Sequence, residues 1–398
     1  MYTTIKKLLF VTCYFGLSTA VIAQSKLPLI KASNEKAIIT DGANVKIEWK
    51  LDPKLKPDTY FVNIPLIKSK VSLKTDKDEI SFQTKPGKNY DFIVLLNEMD
   101  SCYVRISSCQ PPASEIMNFD GKLPESIPFS IIGSRIYFKG KLNGKLLNIQ
   151  LDLGAGTNVV NKLVSDTLGL TFSQSTLVSN TEGVNEQRTS INNELKLGDL
   201  SWSGVSVTEV GNMQPYEDMI IGNGLFKNKI IEVDYDNKSF SIHDKLPSKA
   251  KKYSKQPVYY EQNRPKFEAE FVHNGKKFDF WFLFDTGRDG TMLIGEDYTA
   301  LNNNWIELNP LMTIKGRKIV RLDAIIAGQK FSDIVTNAAD PSNPQGRPTL
   351  FGNQILSHFN IILDNRSGII YLKANSRTNE PYSDYKGYLK EVSKMQKK

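Results

Sequence analysis

Short apolar and alternating runs, separated by turn residues, dominate the chain after its first 23 residues. Five such runs between residues 24 and 112 are rich in β-branched and aromatic residues: KAIIT, VKIEW, YFVNIPL, EISFQT and YDFIVLL. Asp41-Gly42 and Pro86-Gly87 are turn signals between them. Runs of this length and composition are typical of strands. The pattern therefore predicts a small β-sandwich-like module at 24–112, which ends in a proline-containing linker at 110–114.

From residue 126 onward the pattern occurs twice. LGDLSW at 197–202 corresponds to AGQKF at 327–331, and IIGN at 220–223 corresponds to LFGN at 350–353, each at an offset of 130 residues. Asn-Gly hairpin signals at 143–144 and 274–275 precede the most apolar strand of each copy. We therefore predict an all-β fold with two homologous barrel lobes, at 126–246 and 255–374, and a polar tail at 375–398.

Helices are expected at only a few places in this β-rich chain. The fragments after Gly222 and Gly352 are the best candidates for short helices, and Asn223 and Asn353 are plausible N-caps for them. A further frayed helix is possible in the tail from Tyr385. The helices would thus mark the same point in each copy of the repeat.

Each lobe contains one Asp at the end of a strongly apolar strand. NIQLDLGAGTNVV centres on Asp152, and FWFLFDTGRDGTML centres on Asp285, 133 residues later. Gly154 and Gly287 follow two residues after each Asp and permit a tight turn in which two backbones come close. A buried strand that ends in a carboxylate leaves this acid accessible to water. Two such acids in homologous lobes predict one shared site between the lobes.

Two carboxyl groups about one hydrogen-bond length apart can hydrolyse a peptide bond. They cannot both ionise cheaply, so they share one proton. One acid then acts as the base that activates a water molecule, while the other polarises the carbonyl group. This chemistry needs no metal, thiol or cofactor, and we expect none, since the three histidines are scattered along the sequence without metal-ligand spacing.

The second Asp motif, DTGRDGT at 285–291, resembles the active-site loop of the retropepsin-like (pepsin- and retropepsin-type) aspartic peptidases. That family also has two apolar residues and a Gly in each lobe, and the triplets ending at Gly222 and Gly352 match this feature. The resemblance extends over about 250 residues. It implies a bilobed single-chain β fold in which Asp152 and Asp285 are the catalytic pair at the lobe interface.

The resemblance also assigns supporting roles around the two acids. It implies that Thr286 supplies a hydroxyl that locks the two active-site loops together. Lobe one departs from the family here, because Leu153 occupies the position where a Thr or Ser is expected. Substrate-covering flaps are expected on Gly-containing hairpins, with Gly183 and Gly316 as candidate tips. Ordinary hairpin turns explain these two glycines equally well.

The first 23 residues have the pattern of a secretory signal peptide. Lys6 and Lys7 precede a short apolar run, and small residues end at Ala23, before Gln24. The apolar run is shorter than a bilayer span, so we expect cleavage and no stable membrane span in the mature chain. The mature protein would be periplasmic, at the cell surface or secreted. An oxidising compartment permits a disulfide between Cys102 and Cys109, and free thiols are the equal alternative.

The positive charge of the chain does not point to nucleic acid. The formal net charge of +8 falls to +6 when the two lysines of residues 1–23 are removed, and the remaining surplus is spread out. The densest cluster, KLPSKAKKYSK at 245–255, lacks an aromatic stacking platform and suits a solvated linker between the lobes. A peptide or protein substrate is therefore the expected partner.

Three hypotheses remain open at this point. The leading one is an exported aspartic endopeptidase that uses Asp152, Asp285 and an activated water. The second is a retropepsin-like protein that binds extended peptides without turnover, since Leu153 removes one hydroxyl of the loop lock. The third is a cell-surface binding protein that acts through its N-terminal β module.

Overall fold

The computed structural model describes residues 27–42, 45–62, 68–109, 115–119, 121–180, 183–314, 316–382 and 385–395. The predicted signal peptide at 1–23 and the predicted linker at 110–114 lie outside these residues. Within the described part of the chain, strands dominate, as the pattern predicts.

The N-terminal module has eight strands: β1 (Leu29–Ala32), β2 (Lys36–Asp41), β3 (Val45–Lys50), β4 (Asp58–Phe61), β5 (Lys70–Lys74), β6 (Glu79–Gln83), β7 (Asn89–Leu96) and β8 (Asp100–Ser107). They form two four-stranded sheets, in the orders β1-β7-β8-β4 and β3-β2-β5-β6. Alternate residues point inward, and Ile39, Val71, Phe92 and Val104 from the two sheets are fully buried in one core. The module is therefore a small β-sandwich.

Of the two alternatives for Cys102 and Cys109, the structure has the free thiols. Both cysteines are free, and Cys102 is buried in the core of the module. Seven residues of nearly extended chain separate the two Cα atoms by on the order of 20 Å, whereas a disulfide requires less than about 7 Å. Burial raises the pKa of the Cys102 thiol to about 11, so this side chain is an apolar core residue.

Lobe one follows the module and contains twelve strands: β9 (Ile116–Asn118), β10 (Glu125–Pro128), β11 (Ser130–Ile132), β12 (Arg135–Leu142), β13 (Lys145–Asp152), β14 (Val159–Asn161), β15 (Phe172–Asn180), β16 (Gly183–Leu197), β17 (Leu200–Val210), β18 (Met219–Gly222), β19 (Ile230–Asp234) and β20 (Ser239–His243). Six of them close into a barrel in the order β12-β13-β18-β14-β17-β16, because β16 pairs back onto β12. Asn143 and Gly144, both with positive φ, form the predicted turn between β12 and β13.

Lobe two contains ten strands: β21 (Ser254–Glu261), β22 (Arg264–His273), β23 (Lys276–Asp285), β24 (Met292–Leu293), β25 (Met312–Ile314), β26 (Arg317–Ile326), β27 (Gln329–Ala338), β28 (Leu350–Gly352), β29 (Phe359–Asp364) and β30 (Ile369–Ala374). The path β22-β23-β28-β24 matches the barrel of lobe one, and β26 pairs with both β22 and β27. A parallel bridge between Ile294 and Ala338 completes the ring.

A continuous sheet joins the two lobes. Its strand order is β10-β20-β19-β29-β30-β21, so each lobe contributes three strands on either side of the antiparallel β19–β29 pair. At this junction Ile230 of lobe one lies opposite Asp364 of lobe two. Buried residues of both lobes also belong to one hydrophobic cluster. The predicted all-β bilobed fold is thereby confirmed.

The helices are short: α1 (Lys162–Ser165), α2 (Glu296–Thr299), α3 (Asn304–Glu307), α4 (Asn353–Leu356), α5 (Tyr385–Met395) and three 3-10 helices at Asn223–Phe226, Ser248–Lys252 and Ser376–Asn379. Helices thus follow Gly222 and Gly352, as predicted. The prediction of Asn caps is wrong, because these two glycines are the N-caps and no side chain caps either helix. None of the described helices is long and apolar enough to cross a membrane.

Candidate active site

The two acids lie at equivalent points of the two barrels. Asp152 ends β13 beside Gly222 of the parallel strand β18, and Asp285 ends β23 beside Gly352 of β28. A Cβ atom on either glycine would lie 2.4–2.5 Å from a backbone oxygen of the adjacent Asp-containing loop. Each glycine is therefore required where it is, because the loop must pack against its bare backbone.

The structure brings Asp152 and Asp285 together across the lobe interface, where each carboxyl group packs against the backbone of the opposite loop. The loops come close through their second glycines. A Cβ atom on Gly154 would lie 2.7 Å from Cγ of Asp285, and a Cβ atom on Gly287 would lie 2.2 Å from Cγ of Asp152. Each carboxyl group thus occupies space that only a glycine in the opposite loop leaves free.

The two carboxyl groups have different electrostatic surroundings. Each side chain keeps part of its surface accessible, yet burial raises the pKa of both above the ordinary carboxyl range. The charge of Asp285 raises the pKa of Asp152 further. Oδ1 of Asp285 accepts hydrogen bonds from the backbone N–H groups of Gly287 (3.1 Å) and Arg288 (2.9 Å), which favour its ionised form. Oδ1 of Asp152 also accepts a backbone hydrogen bond, from the Gly154 N–H at 2.8 Å. The nearby Arg288 charge lowers the pKa of Asp285, and it favours the shared proton on Asp152 and the negative charge on Asp285.

Thr286 locks the two loops together from one side. Its Oγ1 accepts a hydrogen bond from the Leu153 N–H at 2.9 Å and donates one to the Leu151 carbonyl at 3.2 Å. The Thr286 side chain is fully buried, so both bonds are shielded from water. Leu153 has no hydroxyl to return these bonds, and its side chain is fully buried in the hydrophobic core. The loop lock expected from the family resemblance is therefore present, but only the loop of lobe two supplies a hydroxyl to it.

Two long polar side chains of lobe one add a second brace. Arg135 Nε and Gln150 Nε2 both donate to the carbonyl oxygen of Gly287, at 2.8 Å and 3.1 Å. Arg135 Nη1 also forms an ion pair at 2.9 Å with Glu217, which accepts a 2.5 Å hydrogen bond from the hydroxyl of Tyr137. Glu217 is buried, so its charge is held in place by these partners. Sequence reasoning missed this network, because its members lie far apart in the chain.

Further contacts between the lobes are arranged around the loops. Asp289 Oδ1 accepts hydrogen bonds from the backbone N–H (3.2 Å) and the hydroxyl (2.8 Å) of Ser134. Asn353 Nδ2 donates to the Ser134 carbonyl, and by pseudo-symmetry Asn223 Nδ2 donates to the Asn263 carbonyl at 2.9 Å. The two asparagines therefore hold the opposite lobe.

The candidate flap tips lie on hairpins, as predicted. Gly183 begins β16 opposite Asn180 of β15, at the end of a long hairpin whose intervening residues 181–182 are not described. Gly316 has a φ of 79° and lies between β25 and β26. It lines a cavity of about 300 Å³ beside the loop that precedes β28. A covering role for either glycine stays a prediction. No three acidic, His or Cys side chains of the described ranges come together as a potential metal site.

Part of lobe one matches a known protein family. Residues 138–225, from β12 to the helical turn after Gly222, match the family model described as aspartyl protease. Among solved structures, the aspartic proteinase from Irpex lacteus is similar at 12% sequence identity and a TM-score of 0.42, with 66% of this chain and 100% of that chain covered. No curated protein sequence matches the chain. The family match confirms the resemblance to pepsin- and retropepsin-type aspartic peptidases.

The brace around Arg135 makes a first prediction. Replacement of Arg135 by Met should lower the free energy of unfolding by about 3–5 kcal/mol, because Glu217 would keep a buried charge without its ion partner. The double variant Arg135→Met/Glu217→Gln should regain part of this loss. Arg264 is the matched control, since it begins β22 as Arg135 begins β12 and pairs with Glu261, which keeps Lys266 as a second ion partner. Arg264→Met should cost about 1 kcal/mol or less in denaturant unfolding. Equal losses for the two arginines would contradict the brace.

The raised carboxyl pKa of Asp152 makes a second prediction. Above about pH 4 the unfolded chain loses this proton while the folded chain keeps it, so stability falls as the pH rises toward the folded-state pKa. Asp152→Asn removes this penalty and should raise the free energy of unfolding by about 1–3 kcal/mol at pH 7, with little change near pH 3. Denaturant unfolding at the two pH values measures the difference. An effect of equal size at both would show that the carboxyl group is not held protonated.

Proposed function

We propose that this chain, a relative of the pepsin- and retropepsin-type aspartic peptidases, is an aspartic endopeptidase whose catalytic pair is Asp152 and Asp285. The close approach of each carboxyl group to the opposite loop, which brings the two acids together at the lobe interface, is the observation that carries this proposal. Two adjacent acids that share one proton supply both a base and an acid to one water molecule. Partial exposure of both side chains gives water and substrate access to them.

In the first step, the ionised Asp285 takes a proton from a water molecule as the water oxygen bonds to the peptide carbonyl carbon. Asp152 gives its proton to the carbonyl oxygen, which yields a neutral gem-diol. In the second step, the C–N bond breaks and the leaving nitrogen takes the proton from Asp285. A hydroxyl proton of the gem-diol returns to Asp152, so the carboxylic acid product is released and both acids regain their starting states.

Leu153 does not remove the support that such chemistry requires. The Thr286 lock and the donors of Arg135 and Gln150 fix the backbone of both loops, so the carboxyl groups are held in position without a second hydroxyl. Preorganised positioning of this kind is a main source of catalytic rate. We therefore favour turnover over a binding protein without activity. Hairpin β15–β16 offers a strand edge on which an extended peptide substrate could lie.

Hydrolysis of a mixed peptide library from acid to neutral pH tests the proposal, with products identified by mass spectrometry. The parent protein should cleave with a bell-shaped pH profile. Activity is lost at low pH when Asp285 takes up a proton and at high pH when Asp152 loses its own. Asp285→Asn and Asp152→Asn should each lower kcat by about 10²–10⁴-fold. Asp166→Asn, an exposed acid of lobe one, is the control and should retain activity.

Two outcomes would change the conclusion. Cleavage that persists in Asp285→Asn would remove Asp285 from the mechanism. If the parent protein cleaves nothing at any pH, then the alternative of a peptide-binding protein without turnover is supported.

We also propose that the protein is exported and that residues 1–23 are removed. The basic start, the short apolar run and the small residues before Gln24 support this. Protein recovered from the host cell envelope or culture medium should begin at Gln24 when its N-terminus is sequenced. Recovery of the intact N-terminus from the cytoplasm would argue against export.

A further inference from the structure

Three arginine side chains lie on the lobe-two side of the site. Arg288 follows the Asp285 loop and lies close enough to Asp285 and Arg347 for their charges to change its pKa. Arg347 lies in the loop before β28, and Arg317 begins β26 beside the candidate flap tip. Arg317 and Arg347 line the same cavity of about 300 Å³. Arg317 and Arg347 therefore place two positive charges in this cavity, which the acids Glu296 and Asp340 also line, and Arg288 lies in the adjacent Asp285 loop.

The guanidinium groups of these three arginines have N–H donors that are not engaged in hydrogen bonds with described residues. Arg288 Nε is buried without a hydrogen-bond partner among the described residues. Among the described residues, Arg288, Arg317 and Arg347 form no ion pair within 4 Å. Arg135 and Arg321, in contrast, each pair with an acid. A buried donor without a partner costs free energy, which a ligand oxygen at this place would recover.

The acids that share the cavity are already engaged. Glu296 accepts hydrogen bonds from the backbone N–H groups of Gln345 (3.1 Å) and Arg347 (2.6 Å), so it orders the loop before β28. Asp340 Oδ1 accepts from the backbone N–H (2.9 Å) and hydroxyl (2.7 Å) of Ser342. Both carboxylates therefore hold the local chain, and neither forms an ion pair within 4 Å with Arg317 or Arg347 among the described residues.

The fold itself does not require these charges. In lobe one, Ala155 occupies the position of Arg288, and Glu217 occupies the position of Arg347. Glu217 is bound to Arg135, so it presents no free charge to the cleft. The cationic residues are thus specific to one half of a duplicated structure, and a role toward the ligand is the physical explanation we favour.

We propose that Arg288, Arg317 and Arg347 form a subsite for an acidic side chain of the peptide substrate, next to the scissile bond. This inference rests on the proposed function and adds a substrate class to it. Guanidinium groups bind carboxylates through paired, charge-assisted hydrogen bonds. An Asp or Glu side chain would satisfy the free donors, a neutral amide would satisfy them less well, and a Lys side chain would be repelled.

The test begins with a peptide that the parent protein cleaves. Each residue on either side of its scissile bond is replaced in turn by Glu, Gln or Lys, and kcat/KM is measured for each peptide. At one position Glu should exceed Gln by about tenfold or more, with Lys lowest. If the protein works only in acid, cysteic acid replaces Glu, because its sulfonate stays ionised. Arg347→Glu should reverse the order of Glu and Lys at that position.

Arg321→Glu is the matched control, since Arg321 is an exposed arginine of lobe two that already pairs with Asp333. It should leave the ratio of Glu to Gln unchanged. Arg317→Glu serves as a second cleft variant if Arg347→Glu does not fold. Cleavage by the parent protein without an acidic preference at any position would overturn the subsite while leaving the peptidase proposal intact.

A parent protein that cleaves no peptide would overturn the proposed function, and the subsite is then tested by binding. Fluorescence anisotropy then uses a labelled peptide that the parent protein binds, with Glu, Gln or Lys placed at each of its positions in turn. Tighter binding of the Glu peptides, lost in Arg347→Glu and kept in Arg321→Glu, would support the subsite in a protein without turnover. Equal affinities for the three peptides would overturn it.

Discussion

The close approach of the Asp152 and Asp285 carboxyl groups requires fixed strand ends, free space in both loops and a rigid connection between the lobes. Two acids on different lobes can share a proton only if both strand ends are fixed to within a fraction of an ångström. Gly154 and Gly287 provide the space, because any side chain at either position would overlap the opposite carboxyl group. The sheet with three strands from each lobe then keeps the two barrels in register, so this local contact does not have to hold the lobes together by itself.

Both loops must be held in position, but different kinds of residue hold them. Thr286 binds both sides of Leu153, and the missing reciprocal bonds are offset by Arg135 and Gln150, which reach the Gly287 carbonyl from lobe one. Leu153 meanwhile adds a fully buried apolar side chain to the core. Burial of a leucine stabilises by about 1.5–3 kcal/mol, which is comparable to what a pair of buried hydrogen bonds contributes.

Much of the architecture could be predicted from the sequence, since it depends on local patterns. Apolar strands, Asn-Gly turns and the constant offset between copies predict the two lobes, and the Asp-x-Gly motifs predict the shared site. The properties that could not be predicted need three dimensions. Asn353 has the composition of an N-cap but bonds to Ser134, which is 219 residues away. Cys102 and Cys109 are close in sequence, yet an extended strand keeps them apart. The network of Arg135 and Glu217 has no sequence signal, because its spacing follows no periodicity.

The continuity of the two lobes within one polypeptide has a consequence for how such a site can diverge. In a symmetric homodimer every substitution occurs twice, so both loops would carry the same residue after the catalytic Asp and the same neighbour beyond the glycine. An arginine in the position of Arg288 would then lie beside each carboxyl group and draw both toward the ionised form. A fused chain can place Ala155 in one loop and Arg288 in the other. Duplication within one chain thereby lets one acid specialise in holding the proton and the other in carrying the charge.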